Sequence, residues 1–353
     1  MSNKVKKTNC KTNNKKKRPN IFLIMAAVVL SLIVVVLAGY GILRASGKTS
    51  LYADADPLQQ YADGLFDESI DIEYNGKIYR YNKDIITFLV MGIDSLDKVP
   101  AVDENTNYQK GGQSDALFLV VMNPHDKSLS VIAINRNSMA DIYMCDKYGN
   151  YTKTAKAQIC VQHGYGDGRE LSCERTREAV SGLMYGLPIN GYVSMRVGAV
   201  KDINNAAGGV EVVVPSDFPE LGLKEGETVR LDAEQAYIFV RFRDTTIFDS
   251  AGKRLDNDKV YLKAFLNQAY DLTKKDIAYP IKLYNIIADY VMTDITIDEM
   301  TYLASELLGY SVSDLQIYSL EGQTIRGEKY EEFYVDEAAA KKLILDIYYE
   351  EVK

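Results

Sequence analysis

The stretch SDALFLVVMNPHDKSLSVIAINR, residues 114–136, reads as two apolar runs joined by a turn. Ala116–Met122 and Leu129–Ile134 are rich in strand-forming residues, and Asn123-Pro124-His125-Asp126-Lys127 supplies turn formers between them. With the turn centred near 125–126, residue numbers facing each other across the hairpin sum to about 251. That register sets Asp115 opposite Arg136. Upstream, IITFLVMG (85–92) is a continuous apolar run, the pattern of a strand buried on both faces, and it delivers Asp94 at its C-terminal end. If it runs in the same direction as 129–134, two carboxylates and a guanidinium converge at one rim of the sheet.

Working outward, the chain from residue 84 alternates apolar runs with helical patterns and contains no Pro/Gly/Ser linker, which predicts one domain over 84–353. Glu170–Leu187 contains a helical stretch and Tyr192–Val197 a strand. Val200–Ala207 reads as a helix closed by Gly208-Gly209, and Val210–Val214 as a strand. Ala233–Ala236 opens a short helix. YIFVRFR (237–243) then alternates, which as a strand puts Arg241 and Arg243 on one face. Lys259–Asp271 is an amphipathic helix. Residues 44–83 read as a connector with a hairpin turn at Tyr74-Asn75-Gly76-Lys77.

The whole chain has 353 residues and a net charge of −8, but the charge is unevenly spread. Residues 1–18 hold eight of the 41 Lys+Arg and no acid, leaving 33 cations against 49 acids in the remainder. An acidic body excludes nucleic-acid binding by that body. With no Trp, two His and four Cys, a zinc ribbon or dense disulfide framework is excluded as well. The tail (1–20) precedes Ile21–Leu43, 23 residues without a charge, long enough for a transmembrane helix rather than the shorter apolar region of a signal peptide. The cation excess before this span predicts a cytoplasmic N-terminus, a single pass through the cell membrane and an extracytoplasmic body. Cys145, Cys160 and Cys173 then lie outside, either as a Cys160–Cys173 pair with one free thiol or as three buried thiols.

Singly, a strand-end Asp, an Arg–Asp pair and an R-x-R are commonplace. Together, Asp94 and Asp115 are hard oxygen ligands suited to Mg²⁺ beside a phosphate, and Arg136, Arg241 and Arg243 match phosphate geometry. That set is a candidate pyrophosphate clamp with a divalent cation. MGIDS (91–95), SDALFLVVMNP (114–124), INRNS (134–138), YGLPINGYVSM (185–195), AAGGVEVVVPSDF (206–218), LDAEQAYIFVRFRD (231–244) and YVMTDITIDEM (290–300) follow in order, and in this the chain resembles the LytR-CpsA-Psr (LCP) family.

The resemblance implies an α/β fold, an α-β-α sandwich with a mixed central β-sheet, behind a single N-terminal transmembrane helix. It implies a Mg²⁺-dependent phosphotransferase that moves a glycopolymer (teichoic acid, capsule or related polysaccharide) from a polyprenyl-pyrophosphate carrier to peptidoglycan. By that carry-over Asp94 and Asp115 serve the metal, and Arg136, Arg241 and Arg243 hold the pyrophosphate. At the family's G-R-x-x-R-Q helix entry this chain has Gly252-Lys253-Arg254-Leu255-Asp256-Asn257, so Lys253 or Arg254 takes the place of the first Arg and Asn257 that of the Gln.

Other departures are Gln113 for an Arg, Asn137 for the Asp of P-R-D, Gln158 for the Lys of K-I-N-x-A, and Asp256 for the second Arg. They leave two expectations: an active, divergent enzyme, or a catalytically weakened module that binds the lipid carrier or glycan as a scaffold.

Overall fold

A computed structural model describes residues 38–53, 66, 69–244, 246–276, 278–307, 309–310, 312 and 315–352. The basic tail and most of the expected transmembrane segment lie outside these residues. Among the described residues no helix is long and apolar enough to cross a membrane.

The chain enters through helix α1 (38–53) and the hairpin β1 (Ile72–Tyr74) and β2 (Lys77–Tyr81). Next come β3 (Ile86–Ile93), β4 (Ser114–Asn123), β5 (Ser128–Ile134), β6 (Met139–Cys145) and β7 (Tyr151–Gln158). Helix α2 (Glu170–Leu183) leads to β8 (Gly191–Arg196), α3 (Val200–Ala206), β9 (Val210–Val213) and β10 (Thr228–Leu231). Helices α4 (Ala233–Arg241), α5 (Ser250–Lys275) and α6 (Tyr279–Ile287) follow, then β11 (Val291–Thr293) and α7 (Ile297–Leu307). The chain closes with β12 (Gln316–Ser319), β13 (Gly322–Arg326), β14 (Glu331–Val335), α8 (Glu337–Tyr348) and β15 (Tyr349–Glu351).

The central sheet has the order β11-β8-β3-β4-β5-β12 and is mixed: β3 pairs β8 and β5 pairs β12 in parallel, while β4 runs antiparallel to both its neighbours. The β4–β5 register joins Leu117 to Ile134 and Phe118 to Ala133, the pairing expected from the turn chemistry. Since β4 is antiparallel to each, β3 and β5 point the same way, and their C-terminal ends share a rim.

Side chains of successive residues alternate between the two faces of the sheet, and each face is covered. Leu89, Leu119, Ile132 and Tyr192 pack with Val180 and Met184 around α2 and with Ile344 and Tyr348 of α8. On the other face Phe88, Phe118, Val131 and Ala133 pack with Leu51, Leu255, Tyr302 and Leu303 from α1, α5 and α7. Helices on both sides explain why β3 reads as an unbroken apolar run.

Of residues 44–83, expected as a connector, the described ones contribute packed structure. Leu51 is buried, and Arg44 pairs with Glu306 at 2.5 Å while Ser46 bonds Asp298 at 2.7 Å. A Cβ on Gly47 would lie 2.1 Å from the Asp298 carbonyl oxygen, so glycine is what lets α1 and α7 approach. Strand β2 sits between β1 and β15, with Asn75 and Gly76 in left-handed conformations at the turn. Cys145, Cys160 and Cys173 are free and buried.

The 237–243 stretch is helical rather than extended. Asp232 accepts from the Gln235 amide at 2.8 Å and Gln235 Oε1 accepts from the Asp232 amide at 3.0 Å, a capping box that starts α4. Once nucleated, the helix runs through Arg241, and only Phe242 returns to extended backbone. Buried Ala236 and Phe239 hold α4 on the β9–β10 pair, stacking Phe239 on Phe218 at 5.5 Å. Gly208 and Gly209, both with positive φ, make the sharp exit from α3 into β9 that this lobe requires.

At the opposite rim, His125 in the β4–β5 turn lies 2.8 Å from Asp84 and 3.2 Å from Glu350, tying the turn to the start of β3 and to β15. Asp84, opposed by partial burial and aided by Glu350, holds the imidazole above its ordinary value. A raised value means the clamp stabilises the fold fully below the unfolded value and loses its contribution as pH rises through the folded one. Thermal melts of His125→Gln are therefore expected to fall furthest below wild type near about pH 6 and to converge with it by about pH 9.

Candidate active site

The rim at the C-terminal ends of β3 and β5 is built around a break in pairing. Gly92 faces Ala116 but Ile93 faces Ser114, so Asp115 is the extra residue of a β-bulge on β4. Bulges re-aim a side chain out of the ladder. Asp115 thereby meets two guanidiniums: Oδ1 lies 2.9 Å from Arg136 Nη2 and Oδ2 2.9 Å from Arg254 Nη1. Arg254 also donates to the Asp115 carbonyl oxygen at 3.0 Å. Arg136 is held from behind, because its carbonyl accepts from the Cys160 amide at 3.2 Å and its guanidinium donates to Gln113.

Arg254 reaches this point from the first turns of α5, where it is buried with Asn257 on the same side of the helix. Its neighbours Lys253 and Asp256 are exposed, and Asp256 pairs with Lys259 at 2.7 Å. The cation at this helix entry is thus Arg254, not Lys253, and the acid at 256 points away. One turn on, Asp258 is buried; burial pushes its carboxyl up to about 7 against the pull of Arg254.

Arg241 and Arg243 do not share a strand face. Arg241, on the last turn of α4, donates to Asp94 at 3.3 Å and to Tyr237 Oη at 2.5 Å, one helical turn back. Arg243, beyond the helix, donates through Nε to Ser250 Oγ at 2.7 Å and through Nη2 to Glu331 at 3.3 Å. Burial, followed by the charges of Arg136 and Arg254, holds Arg243 below its ordinary guanidinium value, while Glu331 and Asp115 oppose the shift. Arg136, Arg243 and Arg254 therefore form one cluster, with the Asp94–Arg241 pair beside it; the Asp94 amide donates to the Gln113 carbonyl at 2.9 Å.

Glu331 was invisible in the sequence pattern. It opens β14, whose neighbour Phe333 donates its amide to the Asn137 carbonyl at 2.9 Å. Gln158 joins the same seam, its amide donating to Asn137 Oδ1 at 3.0 Å and to the Glu331 carbonyl at 2.6 Å. Residues 137 and 158, where the family pattern has an acid and a lysine, are thus hydrogen-bonded as two neutral amides. Cys160 lies against the cluster, and burial pushes its thiol up to about 11 despite the pull of Arg136.

Two carboxylates at one rim suit a hard cation whose remaining ligands come from substrate phosphates. Asp115 Oδ1 is buried without an aligned hydrogen-bond donor, which leaves it lone-pair capacity for such an ion. Among the described residues no three His, Cys, Asp or Glu side chains converge as a self-sufficient metal site.

A mixed sheet flanked by helices, with arginines and carboxylates clustered at one rim, defines an α/β protein with its charge gathered at one edge of the sheet. The chain belongs to the LytR_cpsA_psr family, whose model matches residues 51–345. It is 26% identical over 312 residues to the polyisoprenyl-teichoic acid–peptidoglycan teichoic acid transferase TagV of Bacillus subtilis, covering 86% of this chain and 71% of that one. It is 24% identical over 309 residues to the transferase TagU of Halalkalibacterium halodurans, covering 86% of this chain and 90% of that protein. The crystal structure of B. subtilis TagV superposes with a TM-score of 0.56 at 24% identity, covering 73% of this chain and 94% of that chain, which shows a shared fold.

Because Arg254 is buried against Asp115, Arg254→Ala is expected to cost on the order of 3 kcal/mol in urea unfolding. Lys253→Ala and Asp256→Ala, both exposed, should stay within about 0.5 kcal/mol of wild type in the same titration.

Proposed function

We propose that this chain is a phosphotransferase of the cell membrane that moves a glycopolymer from a polyprenyl-pyrophosphate carrier to peptidoglycan. The supporting observation is the crowding of Arg136, Arg243 and Arg254 around Asp115 and Glu331, three fixed positive charges against two carboxylates. Like charges are held together at a cost, and a pyrophosphate is the ligand that would repay it. The relatives named for teichoic acid transfer suggest the class of cargo and acceptor. The basic tail and the uncharged span at 21–43 support a single-pass anchor with the body outside the cell.

In the proposed reaction an acceptor sugar hydroxyl attacks the glycan-side phosphorus, and the bond from that phosphorus to the bridging oxygen breaks. Polyprenyl phosphate leaves carrying the negative charge. Arg136, Arg243 and Arg254 hold the pyrophosphate and meet the charge that grows on the leaving group, with Arg241 beside them and Asn257 aligning behind Arg254. Asp94 is the more open carboxylate, 43% exposed against 21% for Asp115, and its contacts with Arg241 are longer. It is therefore the more accessible acceptor for the hydroxyl proton, while Asp115 is engaged by two arginines. Mg²⁺ held by Asp94 and Asp115 would add neutralisation of the phosphate oxygens.

The test incubates the full chain in detergent micelles with Mg²⁺ and a short-chain polyprenyl-pyrophosphate-linked sugar, and follows release of polyprenyl phosphate. Release that needs the metal and falls at least about 10²-fold in Asp115→Ala is the expected result. Binding of the lipid without release, equal in both proteins, would replace the enzyme with a carrier-binding scaffold.

A further inference from the structure

Of the carboxylates around the arginine cluster, Glu331 is held differently from Asp115. Asp115 engages two guanidiniums, each at 2.9 Å. Glu331 offers Arg243 one contact at 3.3 Å, and its other oxygen accepts from the Asp249 amide at 3.0 Å. Its backbone is fixed independently by Gln158, and Asp249 by Thr324, whose hydroxyl donates to Oδ1 at 2.8 Å. Arg243 in turn keeps its Nε on Ser250 at 2.7 Å. Nε is therefore anchored on Ser250, and the longer Nη2 contact with Glu331 on the same side of the guanidinium is the exchangeable one.

We propose that Glu331 is an internal anion that occupies Arg243 in the substrate-free protein and yields it to phosphate, so that it limits how tightly the cluster holds its ligand and favours release of the phosphate product. This rests on the reading that the cluster binds a pyrophosphate. The exchange needs no backbone movement: the Glu331 carboxylate keeps the Asp249 amide, and Arg243 keeps Ser250. The carboxylate then stands beside a bound polyanion of the same sign, which weakens binding without blocking it.

The test is calorimetric titration of inorganic pyrophosphate, with Mg²⁺ present, into the full chain in detergent micelles. Wild type, Glu331→Gln, Glu331→Asp, Arg243→Gln and the double variant Glu331→Gln/Arg243→Gln are compared, with melting curves to establish folding. Glutamine keeps an oxygen for the Asp249 amide but removes the charge, and is expected to bind pyrophosphate about fivefold or more tighter. That gain should vanish in the Arg243→Gln background, and Glu331→Asp, which keeps the charge, should stay within about twofold of wild type. Equal or weaker binding by a folded Glu331→Gln overturns the proposal, as does a gain that persists without Arg243. No pyrophosphate binding by wild type would instead sink the phosphate reading of the cluster, and this inference with it.

Discussion

The carboxylate of Asp115, gripped by Arg136 and Arg254, is the contact on which the rest of the site depends. It links β4 to the end of its hairpin partner β5 and to the first turns of α5, a helix distant in sequence from both. Without it, two largely buried guanidiniums would face each other with no charge between them, a cost the fold could relieve only by moving a helix. The bulge at Asp115 is the backbone device that makes the grip possible, since in a regular ladder the residue would point along the pleat. Electrostatic preorganisation at this rim is thus a property of strand register as much as of side-chain identity.

That register was readable in advance. The Asn123–Lys127 turn and its flanking apolar runs determine the pairing sum, and the sum puts Asp115 across from Arg136. The AAGGV and LDAEQA motifs were equally legible, as a glycine exit and a helix start. What alternation concealed was α4: Tyr237–Arg243 fits both a period of two and an amphipathic helix, and the capping box decided the matter locally. Glu331 and the β6–β7 hairpin were not foreseen, because β7 is polar and largely exposed and β14 is short, so neither offers an apolar run to read. The choice between Lys253 and Arg254 also needed three dimensions, since adjacent helical residues look alike until burial separates them.

The departures from the family pattern form a consistent set once placed. Gln113 accepts from Arg136 where a second cation would have repelled it. Gln158 donates to Asn137 Oδ1 and to the Glu331 carbonyl, a neutral contact that holds the seam to β14 while Asn137 Nδ2 stays buried without a partner among the described residues. Asp256 lies on the outer side of α5 with Lys259. None of these changes leaves an uncompensated charge next to the three arginines, which is what decay of an anion site would have produced.

The pairing of β2 with both β1 and β15 has a bearing on when this molecule becomes itself. Tyr81 pairs with Tyr349, and Phe66, Tyr81 and Tyr349 pack as an aromatic trio, so the first sheet closes only around the last strand. The neighbouring helix α8 buries Ile344 and Tyr348 against the central sheet. Without residues 344–351 that face of the sheet would keep only the cover of α2, and β2 would have an open edge. Closing the first sheet joins strands near opposite ends of the described chain, a high-contact-order step that is slow beside the local hairpins.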